Sequence, residues 1–544
     1  MLKYGLKKPD AERRPASKLP GISLHLSDQD DATMNKATIL LVLIRSMTKA
    51  EKRFLKLYSN LQDGDKVYLR LFDLMKECSS VEETARRFGR EAEKCSFEIA
   101  VKHLYKVVIE CLLHLRGRDS IRSRISDCLS EAEILFRCGL FRPAIERLNG
   151  AKALALRHEQ TACLLLIRQT ELQYLSTEDF QEISEKQLVE KQMKVNETFK
   201  HLRCAAQHMQ LYDILKYRAA HRGKIRSGCD RQSLNDLVLS ELHLIANSSY
   251  QGFEVDKLHW LFQSAYFLQS SDYLAAIRIY RQLLDLFDEH PERILDPPLY
   301  YLDAVLGILD SLLSARLYDE MPFFIARLHR LAARSYPQNF IRRIQIHIYL
   351  YNSFRLINSG AIDEARIHYE TNRGIIFQKL SQQRIDLQLS LLLNQTILHM
   401  AEGRLAQARG AMTRIWEGGQ VFSHFPGFRT VRLVNLLLQA ECGHYDFVES
   451  EIKSIRRAAS IGNDSLERLV FQFVRLYPLP HTRHERNRLW SRFRPRVETI
   501  VRAEYERPLL KYFDFAAWIE SRLTGVGLAE VITRNAGRQA GPGH

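Results

Sequence analysis

Three residues invite a metal. His201, Cys204 and His208 stand at i, i+3 and i+7, which places three metal-ligating side chains on one face of a helix. Gln207 and Gln210 flank them, and neither is the strong fourth donor a tetrahedral site requires. The trio reads as a packed cysteine with two half-exposed histidines, so neither a metal nor another cofactor is expected. The second candidate is a run of Arg483, Arg486, Arg488, Arg492, Arg494 and Arg496, with Glu485 the only acid and Trp490 and Phe493 interleaved. Guanidinium forks suit carboxylate or phosphate and the aromatics can stack bases, which makes the run a candidate site for an acidic partner. The competing reading is a solvated basic face with its aromatics turned inward.

Two other stretches carry weaker signals. Residues 83–108, with Arg86 and Arg87 before a helix holding Lys102 and Lys106, have the outline of a helix-turn-helix. The turn is too long, and the supposed reading helix is full of apolar positions that belong in a core. Residues 417–430 hold Gly418, Gly419, Pro426 and Gly427, with Phe422, Phe425 and Phe428 three apart. Such a loop can grip a peptide side chain, but folding back over a hydrophobic seam is the expectation. The chain has no Walker loop, GxGxxG, GxSxG or HExxH. Nothing anchors nucleotide, hydrolase or zinc-protease chemistry, and an enzyme is not expected.

The elements that would position these residues follow from size and pattern. At 544 residues, 46% hydrophobic and 26% charged, the chain is too long for one core and must form several domains or a stack. Only 15 prolines and 25 glycines leave few turns, which favours long helices over many strands. A net charge of +15 bears on acidic partners and solubility, not on fold. Nine cysteines, eight of them before residue 230 and none in a CxxC pair, fit a reducing cytoplasm. The apolar run 37–44 is closed by Arg45 and is too short to span a bilayer, so no membrane insertion is expected.

Residues 1–33 lack apolar periodicity and read as a disordered extension, with Met34 able to serve as an alternative start. Thr48 and Glu51 form a capping box ahead of Phe54, Leu55 and Tyr58. A turn at 61–65 and helical periods over 67–75, 81–88 and 97–115 complete a non-repetitive helical block, 34–118.

From residue 119 a pattern recurs: a small residue, a large one two on, an alanine or substitute three later, another large residue after four. It stands as Gly139, Phe141, Ala144, Leu148; as Ser271, Tyr273, Ala276, Tyr280; and as Gly360, Ile362, Ala365, Tyr369. It returns as Gly403, Leu405, Ala408, Met412 and as Gly443, Tyr445, Val448, Ile452, with a weaker copy at Arg316, Tyr318, Met321, Ile325. The 132 residues from 139 to 271 equal three steps of 44, without clear units between. Physically, the small residue turns the chain out of one helix, and the alanine sits where the next helix comes closest to it. This is the logic of tetratricopeptide (TPR) repeats with a longer period. Asp296 as N-cap with Pro297 at the first helical position marks one unit's start.

Ser46-Met47-Thr48-Lys49-Ala50-Glu51-Lys52-Arg53-Phe54, continuing through Gly64-Asp65-Lys66 and Tyr68 to Asp73, resembles the opening of uncharacterised bacterial TPR-containing proteins. Tyr512-Phe513-Asp514-Phe515 with Trp518-Ile519-Glu520-Ser521 resembles their ending. The resemblance covers nearly the whole chain from residue 34, implies a helical solenoid and supplies no catalytic residues.

The expected fold is all-α: a right-handed solenoid of TPR-like helix pairs over 119–505, a closing helix at 506–525 and a frayed tail at 526–544. In the closing helix Leu510, Phe513, Trp518 and Ile519 can face a partner helix. Such a stack is expected to be a cytoplasmic protein- or peptide-binding scaffold. A nucleic-acid-associated regulator using the basic C-terminal region is the alternative.

Overall fold

The computed structural model describes residues 28–60, 67–78, 80–91, 96–116, 120–181, 183–222, 234–247, 252–294, 298–334, 336–378, 383–419, 427–458, 465–503 and 506–539, with a few isolated positions besides. The described residues are helical throughout, with no strand among them. Contacts divide the chain into two compact units, 1–118 and 119–544.

In the first unit α1 (Asp28–Ser46), α2 (Lys49–Asn60), α3 (Val67–Glu77) and α4 (Val81–Glu91) all pack on α5 (Phe97–Arg116). The capping box at the head of α2 is formed: Thr48 N–H donates to Glu51 at 2.7 Å, and Glu51 N–H donates to the Thr48 hydroxyl at 3.2 Å. Helix α1 begins at Asp28, inside the stretch read as a disordered extension. Downstream, Ala37, Leu40, Leu41 and Ile44 are buried, so the apolar run is a helix face. The turn expected at 61–65 lies outside the described residues.

The second unit opens with α6 (Ile121–Arg137), α7 (Phe141–Arg157), α8 (Thr161–Thr177), α9 (Glu185–Arg222) and α10 (Asn235–Asn247). It continues with α11 (Phe253–Gln269), α12 (Tyr273–Glu289), α13 (Leu299–Ala315), α14 (Met321–Ala332), α15 (Gln338–Asn358) and α16 (Ile362–Ile376). Next come α17 (Ile385–Ala401), α18 (Leu405–Glu417), α19 (Phe428–Glu441), α20 (Tyr445–Ala458) and α21 (Leu466–Val474). The last elements are α22 (Arg483–Arg502), the short α23 (Arg507–Leu510), α24 (Phe515–Thr524) and α25 (Leu528–Gln539).

From α11 onward the helices alternate between two roles. The first helices of successive pairs, α11, α13, α15, α17, α19 and α21, pack side by side. They are buried nearly all round: α17 buries an unbroken run from Leu391 to Asn394 and again from Thr396 to Met400. The second helices, α12, α14, α16, α18 and α20, bury one stripe, as Ala365, Tyr369 and Ile376 do on α16. The polar register runs through the first helices. Ser311, Ser353, Asn394 and Asn435 are fully buried at steps of 42, 41 and 41 residues. Across one step Ser353 and Tyr349 both donate to Asn394 Oδ1, at 2.9 and 3.2 Å.

Each turn inside a pair has one residue in the left-handed region. Gly139, Ser271, Arg316, Gly360, Gly403 and Gly443 have φ between 62° and 85°. The next helix opens two residues later, except after Arg316, where a 3-10 turn at Tyr318–Glu320 precedes α14, and Ala144, Ala276, Ala365 and Ala408 are fully buried where the paired helices meet. Between Gly139 and Ser271 the described residues form α7, α8, α9, α10 and α11, and residues 223–231 and 248–251 lie outside the described residues. The 38-residue α9 has no glycine or proline to break it, and it runs on where a turn would otherwise fall. Asp296 and Pro297 lie outside the described residues.

The chain's end turns back on the unit. Segment 507–514 crosses α13 and α15: Arg316 meets Asp514 at 3.0 Å, Asn358 Nδ2 donates to the Lys511 carbonyl at 3.1 Å, and Phe354 lies 5.1 Å from Tyr512. Leu510, Phe513, Trp518 and Ile519 are all buried. The expected frayed tail is instead occupied by α25 as far as Gln539. Its Val531 and Ile532 pack with Ala517 of α24, and Arg534 and Asn535 hold Glu520.

Candidate partner-binding surfaces

The His–Cys trio lies along α9. His208 is buried with Nε2 unpartnered, and burial and neighbouring His259 lower its pKa; burial also lowers that of His201. Both imidazoles are therefore held neutral, but no group of three or more His, Cys, Asp or Glu able to hold a metal occurs among the described residues. The helix-turn-helix outline dissolves in the first unit's core. Ala100, Val101, Leu104, Val107, Val108 and Cys111 of α5 are buried, Lys102 pairs with Glu98 at 2.6 Å, and Lys106 lies 3.8 Å from Glu110. Burial pushes the Cys111 thiol up to about 11, so it stays protonated. In the 417–430 loop Phe422 is buried against Gly418, where a Cβ would come within 2.1 Å of the ring, and Phe428 sits edge-on to Trp416 at 5.4 Å. The loop's described phenylalanines pack into the core.

The repeat positions, Gly139, Ala144, Ala276, Gly360, Ala365, Gly403, Ala408 and Gly443, build the framework of turns and helix contacts. The arginine run is brought onto one helix. Thr482 caps α22, accepting from Glu485 N–H at 3.4 Å. Arg486 turns half-buried toward Gly525, whereas Arg483, Arg488, Arg492, Arg494 and Arg496 are exposed. Trp490 and Phe493 are half-buried against the unit's core, Phe493 lying edge-on to Phe473 at 6.4 Å.

Comparisons with protein-family models, with curated proteins and with solved structures find no match. What the surface can do is decided by its own geometry.

A feature missed in the sequence lies on the second helices. A groove of about 730 Å³ runs between α14 and α16 over α15, lined by His329, Gln345, Asn352, Arg355, Ile367 and Ile375 among others. Ile367 and Ile375 are each 62% exposed at its edge. His368 in its wall stacks on Tyr349 at 5.1 Å, and burial lowers its pKa and keeps it neutral. A smaller groove of about 380 Å³ lies one pair earlier, between α12 and α14, beside the exposed Phe323. The available signal was a second apolar stripe on α16: Ile367 and Ile375, eight residues apart, lie on a different side from Ala365 and Tyr369.

Proposed function

We propose that the chain is a non-catalytic, cytoplasmic scaffold of TPR-like helix pairs that binds a protein or peptide partner. The observation that carries this reading is the groove between α14 and α16. It has the volume of a ligand site, an exposed apolar edge and a polar lining that includes Gln345, Asn352, Arg355 and Glu364. A peptide laying an apolar side chain between Ile367 and Ile375 removes that surface from water, while Gln345 and the Asn352 side-chain carbonyl can meet its backbone. The resemblance of residues 46–73 and 512–521 to bacterial TPR proteins supports the same reading. No helix among the described residues is long and apolar enough to cross a membrane. A photo-activated cross-linker at position 367 tests the reading. It is expected to capture a partner in cells that the same group at exposed Lys186 of α9 does not; equal capture at both positions overturns it.

A nucleic-acid-associated regulator is the second reading, favoured by the exposed arginines of α22. It has less support, because Trp490 and Phe493 are engaged with the core instead of standing free to stack bases.

A further inference from the structure

We infer that α21 and α22 form a docking surface for an acidic polypeptide segment. This rests on the scaffold reading and names the chemistry of its partner. Several guanidinium groups elsewhere in the second unit are answered by acids. Arg327 meets Asp288 at 2.8 Å, Arg384 meets Asp386 at 3.1 Å, Arg432 meets Glu451 at 2.6 Å and Arg475 meets Glu449 at 2.6 Å. On α22 the pairing is incomplete. Arg494 pairs with Glu498 at 2.9 Å and Arg496 donates to Gln472 at 2.6 Å, but Arg488 and Arg492 have no acidic partner among the described residues.

Arg488, Arg492 and Arg496 follow one another at i, i+4 and i+8, so they form a single stripe about 12 Å long. At its C-terminal end a groove of about 270 Å³ opens between the two helices, lined by Arg468, Gln472, Arg496 and Thr499. Three guanidinium groups spaced at less than a Debye length reinforce one another's field, and the groove gives that field a concave end.

The geometry also separates the classes of polyanion. A single-stranded nucleic acid takes much of its affinity from bases stacked on free aromatic faces, and the rings of α22 lie on its buried side. Carboxylates at i and i+4 of an acidic helix repeat at about 6 Å, the step of the arginine stripe, and each can take a guanidinium fork. The occupant is therefore a segment rich in Asp and Glu.

The test uses the full chain, a fluorescent glutamate-rich peptide and, as a second arm, a fluorescent oligo-dT of equal charge. The peptide should bind in low salt and weaken steeply as salt rises. The triple variant R488Q/R492Q/R496Q should lose about tenfold or more in affinity at an unchanged melting temperature. Lys186, Lys194 and Lys200 lie exposed on α9, and K186Q/K194Q/K200Q, which removes the same charge, should change affinity less than about twofold. Should the loss of the Arg496–Gln472 contact unfold the triple variant, R488Q/R492Q carries the test alone. Peptide binding that survives these substitutions, or oligo-dT binding more tightly than peptide and lost with them, overturns the inference. K186Q/K194Q/K200Q, at residues outside both surfaces, serves as the charge control, and capture at position 367 is read separately, so failure of the arginine stripe is distinguishable from failure of the scaffold reading.

Discussion

Lys511 buries its ammonium against the carboxylate of Asp310, a partner 201 residues earlier in the chain. Burial works to lower the lysine's pKa, but the Asp310 charge and the Tyr512 hydroxyl, 3.1 Å away, hold it above its ordinary value. Replacing Lys511 by Ala should cost about 3 kcal/mol in urea denaturation, because Asp310 loses its neutralising partner in a desolvated place. Lys511→Met, which keeps the aliphatic stem, should cost less. With Asp310 ionised, the pair's contribution is present in full below about pH 10.4 and fades as pH rises through the raised value. Equal stability of Lys511→Ala and wild type would show that the chain's end is not clamped.

Gly360 and Gly403 separate backbone strain from crowding. Both have positive φ, +85° and +75°. A Cβ on Gly403 meets nothing within 4 Å, whereas on Gly360 it comes within 2.6 Å of Thr533 Oγ1 and 2.8 Å of the Ala529 carbonyl on α25. Gly403→Ala should cost about 1 kcal/mol from conformation alone, and Gly360→Ala more. In a chain ending at residue 527 the difference between the two should vanish; if it persists, α25 does not sit on this turn.

Ala365 and Ala408 are fully buried at the contacts inside their pairs. Ala408→Leu should cost about 1–3 kcal/mol by overpacking, and Ala408→Arg several kcal/mol because a charge is buried as well. Calorimetric melting of the two variants checks the order.

Glu171 of α8 is buried between Lys152 of α7, at 2.7 Å, and Lys191 of α9. Burial alone would raise its pKa; the hydrogen bonds and charges of the two lysines outweigh that and hold it below the ordinary carboxylate value. A lowered folded pKa means stability present above the unfolded value near 4.3 and lost as pH falls through the folded one. Glu171→Gln should be destabilised by about 2 kcal/mol at pH 7, the gap to wild type closing on acidification below about pH 4. A gap that is constant with pH would assign the loss to packing.

How much of this was legible follows from the kind of signal each element leaves. The pair turns at Gly360 and Gly403 and the contacts at Ala365 and Ala408 were readable because local backbone conformation and close helix approach restrict residue type at fixed spacing. The capping box at Thr48 and Glu51 was readable for the same reason. The register of Ser311, Ser353, Asn394 and Asn435 was present at regular steps but masked, since small polar residues inside apolar helices resemble ordinary surface positions. The Lys511–Asp310 pair leaves no sequence trace at a separation of 201 residues. The grooves on the second helices went unread because exposed Ile367 and Ile375 look like core residues until the buried stripe of α16 is known.

The groove between α14 and α16 is the direct test of the scaffold. With the partner captured through position 367 in purified form, equilibrium titration against wild type and the I367E/I375E variant gives the answer. The account predicts affinity reduced by about tenfold or more at an unchanged melting temperature, since both side chains are exposed in the free protein. Full affinity in a variant that remains folded would contradict it.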